Sequence, residues 1–344
     1  MPSLNPLSAV DSARNFMNIV KEVNFDEVRE RAELPPRVLV VARNADQATT
    51  TGQVVFGPNV SGLIDFRSGD QIPTIETSRF DVIIVSDPGH TGLFEEVRAL
   101  TTNGRRDHIH YLPDDGAATV EKLRTELLLT DPELAPSIGR HFPELRAAAI
   151  HTIIDSTSKA NAKFALISNV PAIVPILGSI LAAGADFIVL TKNQLMMSYK
   201  LAAANGRDLD DQGKLIRELV PVVGAGFVWR TVAREATSFL PLLAGTIPKV
   251  AIAFVGTYTV GRSVDYYYRF GTKPPREQFE LFRDQAIRLA ASLPLPGRND
   301  GETKAEDAIE HSIEESVASI RDTKPLDSDT DPDSESSEAS TTGQ

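Results

Sequence analysis

The chain has 344 residues, 42% of them apolar and 24% charged, so it is long enough for two ordinary domains with buried cores. It contains no cysteine, which excludes disulfides, thiolate metal sites and cysteine nucleophiles and favours a reducing compartment. The net charge of −12 lies mostly at the end of the sequence, where 13 acidic and 3 basic residues follow position 301. The remaining chain is nearly neutral, and no nucleic-acid partner is predicted.

Residues 1–35 are predicted to form an N-terminal unit with one helix over 11–33. Apolar residues recur at helical spacing, and Pro35-Pro36 ends the pattern. The helix carries six acids and four bases, which favours packing against a neighbouring domain over binding to a membrane surface. The first residues lack the basic and apolar regions of a signal peptide, so export by that route is not expected.

Residues 36–140 are predicted to form a small α/β domain. Short apolar runs at 38–41 and 82–85 are typical of buried parallel strands, and 108–111 is a third candidate. Helical patterns at 92–102 and 118–129 alternate with them. This order predicts a doubly wound parallel sheet resembling Rossmann and P-loop domains.

The segment after the first strand does not form a phosphate-binding loop. The residues from Ala42 to Gln47 include no glycine, and the next glycine is Gly52. A backbone cradle for phosphate needs a glycine-rich turn and a Lys-Ser or Lys-Thr pair. Gly206 and Gly213-Lys214 have the wrong spacing, and Leu215 lacks the required hydroxyl. The domain is therefore interpreted as P-loop-like without a P-loop.

Two further patterns contain residue types that occur in nucleotide and metal sites. Ser86-Asp87-Pro88-Gly89 is similar to the switch region of GTPases, with Ser86 where an acid would bind the metal, but an ordinary Pro-Gly turn is favoured. His108 and His110 share a strand face, yet no third ligand stands at a metal-site spacing, which favours a structural pair. The sequence predicts no catalytic residue, no cofactor and no metal, and we expect a protein that is not an enzyme.

Residues 141–295 are predicted to form a helical domain with helices at 142–163 and 274–293. It contains several uncharged runs. The longest, Phe164–Ala185, has 22 residues, which meets the length of about 20 that a helix needs to cross a membrane. Pro171 and Pro175 interrupt that run and favour two short helices with a bend. The other runs are Leu219–Trp229, Ala236–Pro248 and Val250–Gly261, the last two separated only by Lys249.

These runs leave two interpretations open. Basic residues, Arg262 among them, and aromatics flank these runs, which favours contact with the cytoplasmic membrane, with the bulk of the chain on the cytoplasmic side. Lys249 makes a continuous span unfavourable by roughly 3 kcal/mol. The alternative is a compact bundle of buried apolar helices. Residues 296–344 are predicted to be an acidic, mostly disordered tail, since they contain few large apolar residues.

Ordered motifs over about 160–270 resemble a known family. They begin with Pro171-x-x-x-Pro175 and Ala185-Asp186 and continue with Thr191-Lys192-Asn193-Gln194, Ala203-Ala204-Asn205-Gly206, Gly224-x-Gly226 and Ile247-Pro248-Lys249. This pattern is similar to the helical domain that accompanies bacterial GTPase domains, the DUF697 family. The resemblance implies a membrane-associated protein beside a GTPase domain, and the missing phosphate loop argues against hydrolysis in this chain.

Four polar residues in the helical domain are structural or interaction candidates: Asp186, Lys192, Gln194 and Lys249. Asp186 and Gln194 lie on one stripe of a helix, and each needs a partner if it is buried. A hydrogen-bond network is favoured over recognition of a ligand or partner.

The sequence predicts a membrane-associated scaffold or adaptor that binds membrane lipid and a protein partner. A nucleotide-binding protein with a non-standard site and a soluble homo-oligomer, in which the apolar runs form the subunit interface, are the alternatives.

Overall fold

A computed structural model describes residues 23–60, 62–101, 106–167, 185–223 and 248–293. The first part of the predicted N-terminal helix, both prolines of the long uncharged run, the Gly224-x-Gly226 motif and the acidic tail lie outside these residues.

Four parallel strands form a single sheet in the order β2-β1-β3-β4. The strands are β1 (Val38–Ala42), β2 (Ile64–Ser68), β3 (Val82–Ser86) and β4 (Ile109–Leu112). Every residue of β1 and β3 is buried, because both faces of a parallel sheet are covered. The predicted parallel α/β sheet is confirmed. Strand β2 was not predicted, since its sequence IDFRS has only two apolar residues and alternates as an edge strand does.

Helices and short turns cover the two faces of the sheet. Helix α1 (Asp26–Glu33) precedes β1 in the chain. Helices α2 (Ala45–Phe56) and α4 (Ala117–Thr130) lie on one face of the sheet. On the other lie α3 (Leu93–Ala99) and the 3-10 turns at Gly69–Thr74 and Thr77–Arg79. Gly52 lets α2 approach the edge strand, because a Cβ atom at this position would lie 2.7 Å from the Phe66 ring.

Helices form the rest of the described chain: α5 (Ala135–His141), α6 (Arg146–Ile167), α7 (Ala185–Ala204), α8 (Gln212–Val223), α9 (Pro248–Phe270) and α10 (Arg276–Ala291). Helix α6 packs against α7 and α9, and α10 packs against α9. A Cβ atom at Gly261 would lie 2.8 Å from Ile154 and 3.1 Å from the Met197 sulfur, so only glycine permits this approach of three helices. The predicted combination of a small parallel sheet with a helical region is therefore observed.

The hydrophobic core runs without a break from the sheet into the helices. Val38 and Val40 of the sheet belong to the same buried cluster as Leu127 of α4, Ile150 of α6 and Phe254 of α9. The rings of Phe56 and Phe142 meet at a centroid distance of 4.7 Å at this junction. The predicted domain boundary at 140/141 falls at the end of α5, inside this continuous core.

The uncharged run Val250–Gly261 packs against protein. Val250, Ala253 and Val260 in α9 are almost fully buried, and α9 lies against α6, α7 and α10. Within the described ranges, no helix is both long and apolar enough to cross a membrane. The central part of Phe164–Ala185 and most of Ala236–Pro248 lie outside those ranges.

Candidate functional site

The strand order places a topological switch point between β1 and β3. The chain leaves β1 towards β2 on one side and returns to β3 on the other, so the loops after these two strands diverge. In open α/β sheets, ligands bind in the crevice formed at such a point. The crevice here is formed by the residues from Arg43 to Gln47 and from Asp87 to Gly92, and it contains the predicted Ser86-Asp87-Pro88-Gly89 turn.

Asp87 holds the loop that follows β3. Its carboxylate accepts hydrogen bonds from the Thr91 amide at 2.9 Å, the Thr91 hydroxyl at 2.7 Å and the Leu93 amide at 3.1 Å. The Leu93 bond satisfies the first amide of α3, whose preceding residue Gly92 has no capping side chain. Burial raises the pKa of Asp87, but the bonds from Thr91 and Leu93 and the charge of Arg43 outweigh it, and the pKa lies below the usual value.

Arg43 spans the crevice from the end of β1. Its guanidinium donates to the Thr91 hydroxyl at 2.8 Å, to the Thr91 carbonyl at 3.2 Å and to the Glu96 carboxylate at 2.9 Å. Thr91 in turn donates its hydroxyl hydrogen to Asp87. A chain of bonds therefore connects the loop after β1 to the loop after β3 and to α3. These side chains bridge the two loops at the switch point.

The other polar groups at the crevice are also engaged. The Asn44 side chain accepts from the Gln47 amide at 2.8 Å and caps α2, and the Gln47 side chain donates to Ser86 at 3.4 Å. His90 adopts a left-handed backbone with φ of 49°, which is uncommon outside glycine, and its Nδ1 lies 2.8 Å from the Tyr111 hydroxyl. This contact fixes the outer side of the loop.

The two strand histidines do not converge on a common point. His108 Nδ1 lies 2.9 Å from the Asp81 carbonyl, whereas His110 Nδ1 lies 3.3 Å from a carboxylate oxygen of Glu126. In the described part of the chain, no group of three or more His, Cys, Asp or Glu residues is placed to hold a metal ion. Burial lowers the pKa of His110, although Glu126 opposes this effect.

A second polar cluster lies inside the helical region. The Asn161 amide donates to the Thr257 hydroxyl at 2.8 Å, and the Asn193 amide donates to the Asn161 oxygen at 2.6 Å. These bonds join α6, α7 and α9. The sequence predicts such a network at Asp186, Lys192 and Gln194, and the observed link passes through the adjacent Asn193. The asparagine at 161 was the available signal, because asparagine is a poor helix former unless its side chain has a partner.

The predicted candidates have different surroundings. Gln194 is buried and its backbone carbonyl accepts from Ser198, while its side-chain nitrogen has no hydrogen-bond partner among the described residues. Lys192 is half-buried in α7. Asp186 lies in the first turn of α7 and Lys249 in the first turn of α9, and both side chains fall outside the described part of the structure.

Charged groups are buried between α6, α9 and α10. Arg262 and Asp265 are almost fully buried with 4.0 Å between Nη1 and a carboxylate oxygen, and the Arg262 guanidinium lies 5.2 Å from the centre of the Phe282 ring. Burial lowers the pKa of His151 to about 4; Asp155 opposes this, and Arg262 and Lys159 add to it. Arg262 was predicted to flank an apolar run at a membrane interface, but it lies in the protein interior.

Comparisons of the chain with family models, with curated proteins and with solved structures gave no match.

Replacing Asp87 with alanine is expected to destabilise the fold by about 3 kcal/mol, because two amides and a hydroxyl lose a charged acceptor. Urea unfolding followed by circular dichroism measures this loss. Asp87→Asn keeps one carbonyl acceptor and should lose less. Exposed Asp46 in the first turn of α2 provides the control, and Asp46→Asn should change stability by only a few tenths of a kcal/mol. Equal losses for Asp87→Ala and the control would refute the role of Asp87.

His151 is expected to make stability fall on acidification. Its pKa in the folded state, about 4, lies below the unfolded value of 6.5. The free energy of unfolding is therefore unaffected by this group above pH 6.5 and decreases as the pH falls from 6.5 towards 4. The loss at pH 5 is about 2 kcal/mol by linkage. His151→Leu should lack this loss. Burial raises the pKa of Asp265, which acts in the opposite direction, but Asp265 is present in both proteins and its effect cancels in their difference. Identical pH profiles would contradict the assignment.

Proposed function

We propose that this chain is a scaffold or adaptor of the DUF697 type at the cytoplasmic face of the membrane, acting without catalysis. Its α/β domain serves for protein contact, and its uncharged segments contact lipid. The observation that carries the non-catalytic part is the chain of bonds from Arg43 through Thr91 to Asp87 across the switch-point crevice.

Several of the groups that a nucleotide would need are used within the protein. A phosphate at this crevice would bind amides at the start of α2, and one of these, the Gln47 amide, already donates to the Asn44 side chain. A metal ion would require a free carboxylate after β3, but both Asp87 oxygens accept hydrogen bonds from the loop. Opening the crevice would break the bonds that hold α3 in place. This supports a domain that uses its surface, and not its crevice, for recognition.

The membrane part of the proposal rests on the uncharged sequence between the described helices. Val250–Gly261 lies in α9, which is buried against α6 and α10, so lipid contact is assigned to other residues. The remaining uncharged stretches are 168–184, between α6 and α7, and 224–229 and 236–247, both between α8 and α9. All three belong to segments that connect helices, and lipid contact there would leave the helices at the membrane surface.

Calorimetry should detect no binding when the full chain is titrated with GTP or ATP in the presence of Mg²⁺, because the chain lacks a phosphate loop and Arg43 and Asp87 bond to the loop after β3. Arg43→Ala removes the bridge, but it restores neither a glycine-rich loop nor a free acid, so it should also give no heat. Saturable heat with the unaltered chain would favour the nucleotide-binding alternative. Loss of that heat in Arg43→Ala would then place the ligand in this crevice.

The full chain is expected to sediment with phosphatidylethanolamine and phosphatidylglycerol vesicles and to need detergent for extraction after a carbonate wash. Leu177→Asp places a charge inside the 22-residue uncharged run and should reduce the bound fraction several-fold, because aspartate in hydrocarbon costs about 3 kcal/mol.

The matched control for this measurement is Leu129→Asp. It makes the same substitution at an exposed leucine of α4 and should leave vesicle binding unchanged. Circular dichroism of both variants separates lost binding from lost folding. Recovery of the unaltered chain in the supernatant without detergent would contradict the membrane proposal.

A further inference from the structure

Strand β2 is an edge of the sheet. In the described part of the chain it pairs only with β1, so one side of its backbone has no neighbouring strand. Exposed backbone of this kind is the usual template for pairing with another strand. The strand has five residues, Ile64–Ser68, and its central residue is Phe66.

The charges of β2 are arranged symmetrically about Phe66. Asp65 and Arg67 lie on the sheet face of their β1 partners Leu39 and Val41, while Phe66 points to the opposite face and packs at Gly52. The Asp65 side chain is exposed, and no hydrogen bond or ion pair engages its carboxylate within the described ranges. Opposite charges therefore stand one place before and one place after the centre of the strand.

Two side chains form hydrogen bonds with backbone groups of β2, one at Phe66 and one at Ser68. The Arg67 guanidinium donates to the Phe66 carbonyl at 2.8 Å, and the Ser68 amide donates to the Gln71 side chain at 3.4 Å. Backbone groups two residues apart point to the same side of a strand, so Phe66 and Ser68 direct their groups away from β1. Both groups can exchange these partners for a second strand.

We propose that β2 pairs antiparallel with β2 of a second copy of this chain, with the two-fold axis at Phe66. The two Phe66 residues exchange N–H···O=C bonds, and Asp65 of each copy lies opposite Arg67 of the other. Arg67 then exchanges its bond to the Phe66 carbonyl for one to the opposing Asp65 carboxylate. The four-stranded sheets join into one sheet of eight strands through a self-complementary interface.

The register follows from the charges. Shifting the pairing by two residues in one direction places Asp65 opposite Asp65, and shifting it in the other places Arg67 opposite Arg67. Like charges directly opposite are destabilising, whereas opposite charges contribute favourably. Charges on an edge strand also discourage pairing with unrelated strands. The same two residues thus favour self-pairing in one register and oppose the others. This inference does not depend on the proposed function.

Cysteine pairs test the register, because the natural sequence contains no cysteine. In the proposed dimer, positions 65 and 67 of the two copies form a non-hydrogen-bonded pair about 4.5 Å apart at Cα, a distance that a disulfide spans. A mixture of full-length Asp65→Cys and Arg67→Cys chains should oxidise to a covalent dimer, since one Asp65–Arg67 pair remains intact in the mixed dimer. Each variant alone should give at least ten-fold less dimer.

The matched control mixes Glu95→Cys with Lys122→Cys, two exposed positions outside β2, and gives the background rate of collision. Light scattering supplies a second measurement that needs no oxidation. In chains without introduced cysteines, Asp65→Arg should shift the protein from dimer to monomer. Asp65→Arg combined with Arg67→Asp should restore the dimer. A 65/67 mixture that cross-links no faster than the control, or an Asp65→Arg chain with an unchanged mass, would overturn the proposal.

Discussion

The turn from β3 into α3 is made within six residues, and the Asp87 carboxylate holds it together. One oxygen takes the amide and the hydroxyl of Thr91, and the other takes the first amide of α3. Thr91 is thereby placed where Arg43 can reach it from the neighbouring strand. The bridge across the crevice and the position of α3 over the central strands both depend on this buried carboxylate. It stays ionised in the interior because its hydrogen bonds replace those to the water that it lost.

The sequence predicted the sheet where burial on both faces produced continuous apolar runs. Strands β1 and β3 are of this kind, and the helices at 93–99 and 117–130 fell close to their predicted positions. Strand β2 could not be found in this way, because its polar residues alternate with Ile64 and Phe66 and it contains no continuous apolar run. Helix α2 was also missed, although Asn44 before it is a typical N-cap residue.

The site was predictable only in part. The predicted Pro88-Gly89 turn after β3 is observed, but the role of Arg43 depends on contacts 48 and 53 residues away in sequence. Such pairings are fixed by topology and have no local signal. In the helical region the sequence predicts a hydrogen-bond network at Asp186, Lys192 and Gln194, and the structure shows one through the adjacent Asn193. Neighbouring helical residues point about 100° apart, so which of them meets a partner depends on how the helices pack and not on spacing alone.

The unbroken core between the sheet and the helices has a consequence for how the molecule responds to perturbation. Phe56 and Phe142 pack across the junction, and the same buried cluster extends from β1 to α9. Close-packed interiors deform little and transmit displacement from one element to the next. A pull on the helices from their connecting segments would therefore reach the sheet directly. The two halves of the chain act as one mechanical unit, and a change at one end is coupled energetically to the other.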